Sequence, residues 1–347
     1  MLSRGGVIPL SRFTKSTTMK SPKNLTLAAT SALITSASAS ITMDWVNVGN
    51  PGNAADSTGY GAVAYAYQIG KYEVTNSQYA TFLNAVDPDG ANANGLYNPN
   101  MGSNARGGIT YTAGSASGAK YTLRTSMGDK PVNYVSWYDA ARFANWMMNG
   151  QGAGSTETGA YTLNGNTGII TKNVGATVYL PSEDEWYKAA YYDPTPGAGG
   201  GDNYWLYASQ SNAAPTIAVA SATGDITNPG ANVANYASGA DWNGMNGNVT
   251  TVGSAAANNY FGTADQGGNV FEWNDAVISG SSRGLRGGSF AFFEDFLRAS
   301  YRNSFGDPTG EYDGIGFRVA SVASVPEPSS LLLTMLAGGV MLARRKR

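Results

Sequence analysis

The chain has 347 residues with a formal net charge of −2, and only 13% of its residues are charged. Its 42% apolar residues suffice for a sizeable core, and the main body has no basic run of the kind that marks a nucleic-acid-binding protein. The chain contains no cysteine and no histidine. This excludes disulfides, the usual zinc and iron–sulfur sites, histidine-ligated copper or iron, and Ser-His-Asp or Cys-His nucleophiles.

Residues 1–39 have the pattern of a secretory signal. Basic residues precede an apolar stretch at 25–34, and Ala37-Ser38-Ala39 then offers a small-residue cleavage site. We expect cleavage after Ala39, and a start at Met19 gives the more usual signal length. The alternative interpretation, an N-terminal helix of the fold, is less favoured. A low share of charged residues also suits a secreted protein.

Three later segments each combine a capping box with an apolar stripe, which predicts an α-helix. The capping pairs are Thr75 with Gln78, Ser136 with Asp139, and Ser182 with Glu185. A strand is predicted before the first helix, since apolar residues alternate over 63–69. Residues 91–120 are rich in Gly, Asn, Ser and Ala, which predicts a long loop rather than core. Residues 193–260 are predicted to be irregular, anchored by aromatic side chains or by ions.

The most informative stretch is Gly267–Trp273, which reads GGNVFEW and is followed by LRGGSF at Leu285–Phe290. The glycine pairs beside aromatic and branched residues indicate tight backbone packing next to a buried strand. Glu272 lies between Phe271 and Trp273, so its carboxylate needs a partner when it is buried. That partner is either calcium, which favours oxygen ligands, or an arginine. The arginine candidates are Arg283, Arg286, Arg298, Arg302 and Arg318.

The C-terminal segment, residues 324–347, has three parts in order. Pro326-Glu327-Pro328 precedes an apolar stretch at 331–342, and the chain closes on Arg344-Arg345-Lys346-Arg347. The apolar stretch is too short to span a bilayer comfortably. This arrangement resembles the PEP-CTERM sorting signal of Gram-negative bacteria. The resemblance implies processing by an exosortase-type enzyme, only transient membrane association, and delivery to the cell surface or extracellular matrix.

The body of the chain, residues 40–323, resembles the formylglycine-generating-enzyme (sulfatase-modifying-factor) domain family. Six motifs carry the resemblance: YEVTNSQY at 72–79, residues 131–146, YLPSEDEW at 179–186, GNVFEW at 268–273, LRGGSF at 285–290 and GFR at 316–318. It implies an α+β fold, a single loop-rich domain with little regular secondary structure, related to C-type-lectin-like folds. It also implies that calcium stabilises the domain.

The resemblance places two calcium sites on this sequence. The matching ligands are Gly267, Gly268, Val270 and Glu272 for the first site, and Asn235 and Tyr236 for the second. At Glu272 the resemblance favours calcium over an arginine partner. The loop after Tyr236 departs from the family pattern, so Asp241 and Asn246 are further candidates for the second site. From residue type alone, turn capping is favoured for each of these polar side chains taken singly.

The family's oxidases hold copper with two cysteines shortly after the Arg-Gly-Gly-Ser motif, where this chain has residues 291–297 and no thiol. A related branch holds iron with histidines, which are also absent. We therefore expect no copper and favour a non-catalytic module that binds exopolysaccharide or an envelope protein. Its candidate cleft residues are Phe292, Phe293, Arg298, Tyr301 and Arg302.

The alternative hypothesis is an enzyme of unrecognised chemistry that uses carboxylates such as Glu294 and Asp295. Paired surface acids are more often solvated than catalytic, which favours the binding module. The acidic run Glu183-Asp184-Glu185 also invites an acid–base interpretation. We favour a structural role for it, since acids in the first turn of a helix complement the helix dipole.

Overall fold

A computed structural model of the chain describes residues 40–165 and 168–323. The predicted signal segment, residues 1–39, and the predicted sorting segment, residues 324–347, lie outside the described residues. Within the described ranges, we find no helix with the length and apolarity needed to cross a bilayer.

The predicted helices form at the capping boxes. The α-helices of the described residues are α1 (Asn76–Val86), α2 (Asn100–Ser103), α3 (Trp137–Met148) and α4 (Glu183–Tyr191). In each of α1, α3 and α4, the Thr or Ser at the N-cap accepts a hydrogen bond from a backbone N–H three residues on. The side chain at that third position accepts one from the N-cap backbone in return. These reciprocal bonds satisfy N–H groups that have no partner inside the helix.

The strands are short and form small sheets. They are β1 (Trp45–Val48), β2 (Tyr67–Gly70), β3 (Ile109–Tyr111), β4 (Tyr121–Leu123), β5 (Val178–Tyr179), β6 (Thr216–Ile217), β7 (Val233–Ala234), β8 (Phe271–Ser279), β9 (Ser282–Arg286), β10 (Asn303–Gly306), β11 (Ile315–Phe317) and β12 (Ala320–Val322). Two four-stranded sheets have the orders β1-β2-β12-β5 and β10-β9-β8-β11, and β3-β4 and β6-β7 form two-stranded sheets. Strand β11 runs parallel to β8, whereas β9 runs antiparallel to it.

Aromatic side chains from α1, α3 and β11 fill the core. The Phe143 ring of α3 lies 5.4 Å from the Phe82 ring, 5.6 Å from Trp146, 5.3 Å from Phe317 and 6.2 Å from Tyr79, between centroids. All five side chains are fully buried. Because rings at these spacings interlock, they fix α1 and α3 against β11.

The predicted α+β class and the low content of regular structure are confirmed. Residues 193–260 are irregular as predicted: they contain only the two-residue strands β6 and β7 and a 3₁₀ turn at Ala198–Gly200. The loop prediction for 91–120 is wrong in part, because this segment contains α2 and β3, and Met101 and Ile109 are fully buried. Single apolar residues in polar surroundings give no periodic signal, so the pattern could not reveal them.

Candidate functional site

The central glycine motif leads directly into β8. Strand β8 pairs Glu272 with Arg286 of β9 on one side and with Gly316 of β11 on the other. Gly268 has a φ of +90°, and a Cβ built on it meets the carbonyl oxygen of Asn235 at 2.4 Å. Only glycine fits this close approach without strain, and it brings the 235–236 segment against the start of the strand.

Glu272 is fully buried and its carboxylate is bound by N–H donors. Arg318 donates from Nε to Oε2 at 2.6 Å and from Nη2 to Oε1 at 2.7 Å, and the indole of Trp186 donates to Oε2 at 2.7 Å. The remaining Arg318 donors bond backbone carbonyls, including those of Gly70 and Ala264. The structure thus pairs Glu272 with one of the five arginines that the sequence offered.

Two further carboxyl groups crowd the same guanidinium. Glu73 Oε2 lies 3.9 Å from Arg318 Nη2, and this oxygen accepts no hydrogen bond from the described residues. Burial raises the pKa of Glu73 well above its ordinary value; Asp265 and Glu272 add repulsion and Arg318 opposes the shift. Burial also raises the pKa of Asp265 to about 6. One arginine therefore faces three carboxyl groups, and the burial and mutual repulsion of these groups oppose the ionisation of Glu73.

The candidate calcium ligands differ in how well they suit a cation. The Glu272 carboxylate as placed does not fit, since both of its oxygens face N–H donors. Asn235 Oδ1 does fit, because it is buried and has no hydrogen-bond partner among the described residues. The Tyr236 carbonyl accepts from Gly239 N at 3.1 Å, and Asp241 accepts from Gly247 N at 2.7 Å. By accepting this bond Asp241 caps a turn, which is the role that its residue type favours.

The acids at the start of α4 are structural anchors. Glu183 accepts from Arg286 Nε at 2.9 Å and from Arg302 Nη2 at 2.7 Å. Glu185 closes the capping box and also accepts from the hydroxyls of Tyr65 and Tyr179, each at 3.0 Å. These contacts tie the start of α4 to β9 through Arg286, to β5 through Tyr179, and to the chain before β2 through Tyr65. Both acids therefore have structural partners.

The predicted cleft residues lie in the segment after Ser289, and the structure brings only some of them together. The Phe292 ring lies 4.8 Å from the Phe296 ring, which lies 4.6 Å from Tyr301. Phe293 points outward and is 68% exposed. Phe296, which links Phe292 to Tyr301, is absent from the predicted set. The sequence did carry one signal for Phe296: it lies three positions after Phe293, and residues three apart share a side of a 3₁₀ turn such as the one at 294–297.

The two predicted cleft arginines have partners of their own. Arg302 bonds Glu183, as described above, and Arg298 bonds Asp295 at 3.0 Å and the Tyr207 hydroxyl at 3.1 Å. Asp295 is exposed, as expected for a solvated acid at the start of a 3₁₀ turn. Hence the segment presents an aromatic surface, here called the aromatic face, made of exposed Phe292 and Phe293 and half-buried Phe296 and Tyr301.

Comparison with known proteins places this arrangement in a family. The family model described as "Sulfatase-modifying factor enzyme 1-like domain" matches residues 45–323. Among curated proteins, the chain is 28% identical over 272 residues to a hercynine oxygenase of Mycolicibacterium thermoresistibile, which is 69% of this chain and 47% of the relative. It is 27% identical over 251 residues to the hercynine oxygenase of Mycobacterium tuberculosis, 69% and 48% of the two chains. The chain spans about half the length of these curated relatives.

Solved structures also resemble the chain. Treponema denticola variable protein 1 gives a TM-score of 0.48 at 20% identity, covering 82% of this chain and 97% of that one. A structure titled CarF gives 0.47 at 20% identity, covering 82% and 99%.

Proposed function

The chain belongs to the sulfatase-modifying factor enzyme 1-like domain family, and from this premise we propose that it is an exported, non-catalytic binding module of that family. The observation that carries the proposal is the absence of cysteine and histidine from the whole chain. Thiolates bind copper and imidazoles suit iron and copper, whereas carboxylates suit harder cations. The segment where the family's oxidases carry their cysteines holds Phe292 and Phe293 here, so we expect no copper site.

The second candidate is an enzyme with cysteine- and histidine-independent chemistry. The curated relatives favour it, since they are named as oxygenases. Against it, the acids suggested for such chemistry are already solvated or paired. Asp295 is exposed beside Arg298, and Glu183 forms ion pairs with Arg286 and Arg302. The binding-module proposal therefore remains the preferred one.

We place the ligand of the module on the aromatic face and name exopolysaccharide, or alternatively an envelope protein, as its partner. Purified full chain should bind exopolysaccharide from the producing strain saturably. Phe293→Ala should weaken this binding by roughly tenfold, since exposed rings supply much of the contact energy at such surfaces. Tyr260→Ala is the matched control, because Tyr260 is an exposed ring elsewhere on the chain. Equal binding by both variants would place the ligand elsewhere, and no binding of exopolysaccharide would leave the envelope protein as partner.

We further propose that the protein is processed at both ends and reaches the cell envelope surface or extracellular matrix of a Gram-negative bacterium. The protein recovered from its native host should begin near Ser40 and should lack the residues after the Pro-Glu-Pro motif, since the exosortase-type enzyme removes that signal. Intact-mass measurement checks both ends. A surface-exposed protein that retains Arg347 would contradict the sorting proposal and point to a simple membrane anchor.

Calcium remains our proposal for the structural cofactor. An ion bound only by the folded state adds RT ln(1 + [L]/Kd) to stability, which is about 2.7 kcal/mol at an ion concentration 100 times the Kd. A chelator should therefore lower the Tm, and calcium should restore it where magnesium does not. The measurement is a melting curve with metal analysis of the folded protein. An unchanged melting curve together with no bound calcium in the folded protein would contradict this proposal.

A further inference from the structure

A tyrosine-lined cleft of about 460 Å³ lies on elements that the proposed function does not use. It is bordered by the end of α2, by strands β3 and β4, and by the chain from Gly90 to Tyr97. None of its lining residues is charged. This volume lies within the usual range for a small-molecule site.

The three tyrosines of the cleft hold one another in a fixed arrangement. Tyr111 of β3 and Tyr121 of β4 are cross-strand partners with ring centroids 5.5 Å apart, and Tyr97 lies 6.0 Å from the first and 5.3 Å from the second. The Tyr97 hydroxyl donates to Ile109 O and accepts from Tyr111 N, both at 3.2 Å. Tyr121 donates its hydroxyl to Asp87. The rings are therefore preorganised, which lowers the entropic cost of binding a ligand against them.

Glycine backbone approaches two of these rings closely. A Cβ on Gly90, whose φ is +74°, meets the Tyr111 ring at 2.4 Å, and a Cβ on Gly102 meets the Tyr97 hydroxyl oxygen at 2.6 Å. A larger residue at either position displaces a tyrosine. The shape of the cleft thus depends on these glycines as well as on the rings.

The free polar groups of the cleft are hydroxyls. Tyr111 and Thr110 line the cleft, and their side-chain hydroxyls have no hydrogen-bond partner among the described residues. Exposed Ser103 lies at the rim, where its hydroxyl donates to Pro99 O at 3.1 Å and can still accept. A hydroxyl can both donate and accept. The cleft therefore combines apolar ring faces with hydroxyls of both capacities and carries no charge of its own.

We propose that this cleft binds a neutral pyranose ring of a glycan. A pyranose has an apolar C–H face that packs on aromatic rings and an edge of hydroxyls that donate and accept. A charged ligand has no counter-charge here, and a proline-rich peptide offers mainly carbonyl acceptors, which leaves the acceptor capacity of the hydroxyls unused. The proposal goes beyond the proposed function, because it concerns other residues and holds whether or not the domain is catalytic.

Isothermal titration of the purified full chain with cellohexaose, maltohexaose and chitohexaose tests this site. We expect at least one of them to bind with a Kd tighter than about 1 mM. Tyr111→Ala should weaken that binding by roughly tenfold or more, since it removes a stacking ring and a hydroxyl. Ser103→Trp, at an exposed position on the rim, should block the cleft while leaving the core packing intact, which covers the case in which Tyr111→Ala does not fold. Tyr260→Ala should bind as the parent does.

Loss of binding in Ser103→Trp and in any folded Tyr111→Ala, with normal binding by Tyr260→Ala, would establish the site. Three outcomes would overturn it: no binding of any of the three hexaoses, hexaose binding unaffected by the cleft variants, or binding of a proline decamer in place of the sugars. Since Phe293 is not part of this cleft, Phe293→Ala separates the two binding proposals. It should leave hexaose binding unchanged.

Discussion

Replacing Glu272 with alanine is expected to lower the free energy of unfolding by about 3–5 kcal/mol, because it leaves the Arg318 guanidinium buried without its main counter-charge. Both side chains are fully buried, and three short hydrogen bonds converge on this carboxylate. Urea unfolding with linear extrapolation measures the change. Glu272→Gln keeps the size of the side chain and removes the charge. If charge pairing dominates, it should lower the free energy of unfolding by about as much as Glu272→Ala does.

Asp295→Ala provides the matched control for this experiment. It breaks the exposed pair with Arg298, in which the two side chains are 68% and 42% exposed, and solvent screens such pairs strongly. The unfolding midpoint of Asp295→Ala should stay at the parent value. A Glu272→Ala protein as stable as this control would contradict the central role of the buried pair.

Phe143→Ala is expected to cost about 3–5 kcal/mol, the usual loss when a buried phenylalanine is truncated and the site only partly collapses. Four aromatic neighbours surround this ring within 6.2 Å, so little can move into the space it leaves. Phe293→Ala, which truncates a ring that is 68% exposed, should leave stability nearly unchanged. The same urea experiment compares the two variants, and equal losses would mean that the core is not centred on Phe143.

The helices could be predicted because their signals are local. Each capping box joins residues three apart, and the structure shows each reciprocal bond, as at Ser136 and Asp139. The partner of Glu272 could not be chosen in this way. The sequence offered five arginines, and the pairing of β8 with β11 selects Arg318, which lies just beyond β11. Glu73 enters the same cluster from a distant part of the chain, 196 positions before Asn269, which no local pattern reveals.

The tyrosine cleft was invisible in the sequence for a related reason. Tyr97 and Tyr111 lie in the segment that the sequence predicted to be loop, and Tyr121 directly follows it. Tyr111 and Tyr121 meet through the register of the β3–β4 hairpin, which no local pattern reveals. The aromatic face was predicted more closely, because Phe292, Phe293 and Tyr301 lie near one another in the chain. The prediction that Arg298 and Arg302 line the same cleft was less close. Arg298 instead donates to the Tyr207 hydroxyl, and Arg302 donates to Glu183.

The most direct test of the non-catalytic proposal is an aldehyde assay. A sulfatase-motif peptide is incubated with the full chain, copper and oxygen, beside a blank that contains the metal alone and an active formylglycine-generating enzyme as positive control. We expect no aldehyde above the blank, because a chain with no cysteine and no histidine cannot supply the soft ligands that the family's oxidases use. Turnover above the blank would contradict this proposal and establish an enzyme with a different metal centre.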